Sequence, residues 1–233
     1  MTRLAEQRDT HLTPAEIAVE TLAQFDAPGG EPSIRSLAAA LKVKPAAIYH
    51  HYPSRAAVIE AAVALVWQEV NEEGYAIIPE PLSAEPEDVL VAAAIAARRG
   101  WLRHYRLASY MAATPDSTEV LGNALALLAN VFERLGYPGE EAFERFHSYA
   151  TFTLGSVLFA AARLRANEEL EQAGDDEGGT GRFHSEPDPE DAAQSSEETR
   201  SSLDAVVDLS VVVPDRDEQL FAEGLRRLIA SFG

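Results

Sequence analysis

The stretch from Ser33 to Arg55, SIRSLAAALKVKPAAIYHHYPSR, constrains the fold more than any other part of the chain. It reads as two short helices joined by a tight turn. Leu37, Ala38 and Leu41 fall on one face at helical spacing, Val43 sits in the turn, and Ile48 opens the next apolar face. Pro45 suits the first position of a new helix, which needs no amide hydrogen. The helix it starts is very short and shows small or flat groups outward: Ala46, Ala47, Tyr49 and His50. A helix-turn-helix needs that profile, because its second helix enters the major groove and small residues let it approach the base edges. Arg35, Lys44 and Arg55 bracket this helix where phosphates would lie, and Lys42 and Lys44 are the only lysines in the chain. The pattern implies a DNA-reading element.

A net charge of −19 seems to oppose nucleic acid, but its distribution removes much of the objection. Up to residue 55 the basic groups Arg3, Arg8, Arg35, Lys42, Lys44 and Arg55 match six acids, so this part is neutral. Residues 166 to 200 hold twelve acids against Arg182 and Arg200, a net of −10. Affinity for DNA follows local phosphate neutralisation rather than total charge.

At 233 residues the chain can bury a substantial core, as one domain or two unequal ones. It has no cysteine, which rules out disulfides and thiolate metal sites and suits a reducing compartment. The polar start, MTRLAEQRDTHLTPAE, lacks the apolar segment of a signal peptide. The longest uncharged run, Ser148 to Ala162, falls short of the roughly 20 residues that span a bilayer. The expected location is cytoplasmic, with no membrane partner.

Punctuation along the chain predicts an all-α protein. Thr13-Pro14-Ala15-Glu16 is a capping box that starts a helix ending near Phe25, with Ile17, Leu22 and Phe25 inward. Asp26-Ala-Pro-Gly-Gly breaks it. Ser33 caps the second helix, Pro45 opens the third, and Ser54 caps a long fourth helix reaching about Tyr75. Pro79, Pro81 and Pro86 mark a linker. Helices are expected over 87–103, 107–113 and 117–135, the last ended by Gly136 and Pro138, and then over 140–171. Residues 174 to 200 lack periodicity and are rich in acid, Gly, Ser and Pro, which predicts a mobile loop. A short helix over 202–209 follows, Val211 to Val213 stay open between strand and linker, and an amphipathic helix over 215–232 turns Leu220, Leu225, Leu228 and Ile229 inward. The expected division is a reading head over 1–55, a linking helix over 54–75, and a second domain over 76–233.

The run IYHHYPSR, preceded by SIRSLAAALKV, resembles the DNA-binding domain of tetracycline-repressor (TetR) family regulators over residues 12 to 72. GWLRHYRLASYMAATP, FERLGYPGEEAF, TFTLGSVL and LFAEGLRRLI resemble the ligand-binding and dimerisation domain of the tetracycline-repressor branch over residues 86 to 232. Two positions depart from the family pattern. Lys42 stands where the turn usually carries Gly, which suggests an altered turn geometry, and Lys44 stands where a short polar cap is common.

The resemblance implies a homodimeric repressor that binds a palindromic operator in double-stranded DNA and is released by a small effector. The DNA-contacting set it implies is Arg35, Lys44, Pro45, Ala46, Ala47, Tyr49, His50, Ser54 and Arg55. Ile48 and Tyr52 are expected to pack inside, and His51 is left open. Among the aromatic and polar groups crowding the second half, Trp101, His104, Met111, Phe132, His147, Thr151 and Phe159 are the expected effector-cavity residues. Gly155, Ser156, Leu225 and Leu228 are expected at the intersubunit bundle. Met111, Phe159 and Thr151 stand where the tetracycline branch carries a magnesium-binding His, an assisting Glu and another His. Hard cations want oxygen or imidazole ligands, so a metal-free, more apolar effector is expected, with no cofactor.

Enzyme signatures are missing: there is no Gly-x-Ser-x-Gly elbow, P-loop, dinucleotide-binding glycine pattern or His-Glu-x-x-His. Two other readings stay open. One is a small-molecule binder with a degenerate head; the other is an α-helical enzyme using His104 or His147 as a base. The same head also serves activation.

Overall fold

The computed structural model of the protein describes residues 12–114, 128, 130–176 and 214–232. All secondary structure among these residues is helical. The chain divides into two compact units, residues 1–164 and 165–233.

Helix α1 (Pro14–Asp26) starts as its sequence dictates. The Thr13 hydroxyl accepts from the Glu16 amide at 3.2 Å, and the Glu16 carboxylate accepts from the Thr13 amide at 2.8 Å. Two amides that helix geometry leaves orphaned are thereby satisfied. Helix α2 (Ile34–Ala40) repeats the device with Ser33 and Ser36, and α3 (Pro45–His51) begins on Pro45 behind a Lys44 whose side chain makes no cap. Ile17, Leu37, Ala38, Ile48 and Val58 are buried together, with Val43 and Tyr52 packed at their edge. The Tyr52 hydroxyl donates to the Pro14 carbonyl at 3.0 Å, closing the head around this small core.

The turn between α2 and α3 corrects one expectation. Lys42 has φ +57°, the left-handed conformation that Gly would supply. Its amide donates to Ala39 O at 3.2 Å, and that of Val43 to Ala38 O at 2.9 Å, the paired bonds of a Schellman cap. The usual geometry is therefore kept, and the lysine carries the strain.

Ser54 caps α4 (Arg55–Ile77) by accepting from the Ala57 amide at 3.1 Å. Its buried face, Val58, Ile59, Ala62, Val63, Val66 and Val70, packs against α1 and against α5 (Pro86–Arg103). Helix α5 comes unusually close at Gly100. A Cβ there would lie 2.4 Å from Val70 Cγ2, well inside contact distance. Helix α6 (Tyr105–Ala113) follows with only His104 between, starting two residues earlier than its periodicity suggests. Of the helix expected over 117–135, residues 115–127 and 129 lie outside the described residues. The described part of α7 is residue 128 and 130–134, and Gly136 follows its end at φ +92°.

Helix α8 (Glu140–Asp176) runs five residues beyond its expected end. Glu168, Glu169, Leu170, Glu171, Gln172 and Ala173 are good helix formers, which offsets the acidity that predicted a loop from 174. The remainder of that loop, the helix over 202–209 and residues 211–213 lie outside the described residues. In the second unit, α9 (Pro214–Ala230) buries Phe221, Ala222, Leu225 and Ile229 on one face. Leu228 is half-buried, and Leu220, expected inward, is exposed.

Gly100→Ala tests the α4–α5 approach. Because Val70 is itself buried and cannot yield freely, the added methyl is expected to cost about 1–3 kcal/mol in chemical denaturation.

Candidate nucleic-acid interface and effector cavity

In α3 the division between inside and outside follows from a single anchor. Ile48 is fully buried, so its neighbours on the opposite side of the helix must face out. Tyr49 is 52 % exposed, and His50, Pro45 and Ala46 are exposed with it, while Ala47 and His51 are half-buried. Arg35, Lys42 and Lys44 are exposed around the same helix. Among the described residues, none of Arg35, Lys42, Lys44 and Tyr49 has a side-chain partner. The ring of His50 meets only that of His51, edge to face at 5.5 Å. Donors held out on a rigid element without internal partners are what a phosphate or a base edge requires.

Arg55 and Ser54 are placed differently from the rest of the expected set. The Ser54 hydroxyl is engaged as the α4 cap. The Arg55 guanidinium is turned inward: it donates to Glu31 at 2.6 Å, to Pro32 O at 2.9 Å and to the Tyr110 hydroxyl at 3.0 Å. Burial works against its charge, yet the hydrogen bonds to Glu31 and Tyr110 outweigh it and raise the pKa further. A guanidinium with its donors so committed is a structural tie between the start of α4 and α6, not a free phosphate cation.

A cavity of about 1060 Å³ opens below the head. One wall is α4, through Val63, Trp67, Val70, Asn71 and Tyr75, and a second is α5, through Val89, Ala93, Ala97 and Trp101. Leu128, Val131 and Arg134 close one end, and α8 contributes Phe146, Tyr149, Thr153, Leu154 and Val157. Most polar groups along α8 are already satisfied. The Tyr149 hydroxyl donates to Leu90 O at 2.8 Å, and burial pushes its pKa well up, so it stays a donor. Thr153 donates to Tyr149 O at 2.9 Å. The indole rings of Trp67 and Trp101 meet edge to face at 5.7 Å, and both indole nitrogens are buried without a hydrogen-bond partner among the described residues.

Of the seven expected cavity residues, Trp101 alone lines it. His104 is taken up between two carboxylates, with Nδ1 2.9 Å from Asp26 and Nε2 3.2 Å from Glu69. Met111 packs at the edge of the main core. Phe132 is buried behind the wall, edge-on to Phe146 and Tyr149. His147, Thr151 and Phe159 lie on the opposite, exposed side of α8. The buried positions of that helix are Phe146, Tyr149, Thr153, Val157, Ala160 and Ala161, a stripe at spacings of three and four. The expected intersubunit residues also divide. Gly155 is exposed with open space beside it, whereas Ser156 turns in to accept from Arg98 Nε at 2.8 Å. Leu225 has no exposed surface left for a partner.

The polar groups that sequence reasoning missed are Trp67, Arg134 and Thr153. A signal existed for Trp67: it lies one helical turn before Val70 and Asn71, on the linking helix that had to pass the cavity.

Lys42→Gly is expected to raise stability by about 0.5–1 kcal/mol, because relief of left-handed strain exceeds the added freedom of the unfolded chain. Thermal unfolding at matched concentration reads this directly, and an unchanged or lower midpoint would contradict the strain assignment.

No protein-family model matches the chain, and no curated protein matches it in sequence. Solved structures do match in fold. The transcriptional regulator SCO7222, a TetR from Streptomyces coelicolor, superposes with a TM-score of 0.64 at 21% identity, over 95% of this chain and 97% of that one. The TetR family protein ActR of Streptomyces coelicolor, in complex with actinorhodin, gives 0.62 at 22% identity, over 96% of each. The same protein with (S)-DNPA gives 0.59 at 21%, over 94% of this chain and 98% of that one. Nearly the whole length is shared at low identity, so the likeness lies in architecture, and the chain has the fold of the TetR-family transcriptional regulators.

Proposed function

We propose that this chain is a TetR-family, DNA-binding transcriptional regulator: a homodimeric repressor that leaves a palindromic operator when a small, mainly apolar effector fills its cavity. The observation that carries this reading is the double use of α4. Its first residue follows the exposed α3 helix, and its middle and end form a cavity wall. A ligand that favours one placement of α4 therefore favours one placement of the reading head. ActR holds a small molecule in a similar fold, which supports an effector role for the cavity here.

The head over residues 1–55 would read one half-site through Tyr49, His50, Arg35 and Lys44, with Ala46 permitting close approach. Two heads must stand about 34 Å apart to enter successive major grooves. The exposed side of α8 supports a dimer. Phe143, His147, Thr151, Gly155 and Phe159 recur every fourth residue, with Phe143 59% and Phe159 65% exposed. Within this row Phe159, with Leu158 beside it, flanks Gly155 on one side of the helix, and exposed large apolar groups next to a small residue suit a second copy of the same helix. His147, Thr151 and Phe159, expected at the effector, fit this face instead, next to Gly155.

Against an operator selected from random DNA by the wild-type protein, Tyr49→Ala is expected to weaken binding about tenfold or more. Lys44→Ala should weaken specific and non-specific DNA alike, and should flatten the dependence of log affinity on log salt by about one unit per subunit. Unaltered affinity in both variants, with the dimer intact by ultracentrifugation, would overturn the head assignment. Phe159→Glu places a charge in the proposed dimer face and is expected to yield a folded monomer. A dimer of wild-type strength in that variant would rule the face out.

A further inference from the structure

We infer that the cavity is built for a ligand whose apolar body carries carbonyl-type oxygen acceptors, bound by the indole N–H groups of Trp67 and Trp101. The inference deepens the effector reading above and rests on it. Buried donors in proteins are almost always paired, so an orphaned one calls for an explanation, and here there are two in contact. An indole nitrogen donates and never accepts. Whatever satisfies these groups must therefore bring lone pairs.

No neighbouring polar group does so in the structure. Along α8 the Tyr149 hydroxyl is committed to Leu90 O and that of Thr153 to Tyr149 O. The wall mixes apolar groups such as Val63, Val70, Ala97 and Val157 with Gln68, Asn71 and Glu72, and none of these bonds either indole nitrogen. Trp67 belongs to α4 and Trp101 to α5; their rings meet edge to face and both nitrogens are buried. An oxygen reaching either nitrogen has to turn an indole aside, so acceptor binding and displacement at the α4–α5 contact are one event. A hydrocarbon of the same shape gains no such bonds and leaves the rings as they are. Discrimination for the oxygenated ligand follows, because a site with buried donors rejects the analogue that leaves them unpaired.

A matched pair of water-soluble probes tests this: anthraquinone-2-sulfonate and anthracene-2-sulfonate, which share a tricyclic frame and a sulfonate and differ in two carbonyl oxygens. Titration calorimetry of the full chain is expected to show the quinone binding on the order of tenfold tighter or more. Trp67→Phe and Trp101→Phe should each remove most of that preference while leaving the anthracene affinity within a factor of about three. Trp67 and Trp101 are the only tryptophans in the sequence, so a change in intrinsic fluorescence locates the bound probe at this wall. Equal affinities for the two probes, no binding of the quinone, or equal losses for both probes in the Phe variants would overturn the inference. A DNA-release arm separates it from the regulatory reading. Preferential quinone binding without release of the selected operator sustains the acceptor site and counts against the effector role. Release by both probes at equal affinity does the reverse.

Discussion

The structure depends on the burial of one helix along two sides. Val58 belongs to the small core of the head, while Ile59, Ala62, Val63, Val66 and Val70 belong to the core shared with α5 and α6. Helix α1 also reaches both, through Ile17 in the first and Leu22 and Phe25 in the second. The contact with α5 is tight because Gly100 lets the backbone of one helix rest on Val70 of the other. Interiors packed this closely have discrete arrangements rather than continuous ones, so α4 has few positions available to it. The cavity lies beside the same helix, and α4 forms one of its walls.

Charged groups fasten what the apolar core positions. Arg55 joins the loop before α2 to α6 through Glu31 and Tyr110. His104 joins the end of α1 to α4 through Asp26 and Glu69, Arg106 donates to Asp26 O, and Arg103 pairs with Glu73 at 2.8 Å. Most of these groups are partly exposed, where single ion pairs contribute at most about 1 kcal/mol. Their value is geometric: several span the border between the head and the helices below it, and each fixes an angle that apolar contacts alone leave loose. An acidic chain spends several of its few basic groups there, and Arg35, Lys42 and Lys44 remain outward on the head.

What could be read from the sequence was local chemistry. Thr13, Ser33 and Ser54 cap helices, Pro14 and Pro45 start them, and Gly136 ends one, because each acts within a turn of its own position. Ile48 inward and Tyr49 outward followed from one short helix with one anchor. The cavity was harder to read, since α8 has apolar residues around its whole circumference and nothing in it alone says which side is interior. Thr151 and Thr153 differ by two positions and lie on opposite faces. Arg55 and His104 misled for another reason: their partners stand between 23 and 78 positions away, beyond the reach of any local pattern. Lys42 gave the reverse lesson. A residue departing from the usual glycine did not alter the turn, because the hydrogen bonds that close it outweigh the strain in one side chain's backbone.

The length of α4 sets a mechanical advantage. Its 23 residues make a rod about 35 Å long. Tilting such a rod by about 5° carries one tip roughly 3 Å sideways relative to the other, close to the 3.4 Å step between neighbouring nucleotides along a strand. A displacement too small to disturb the packing at the far end is thus enlarged, at the tip next to α3, to the scale of that step.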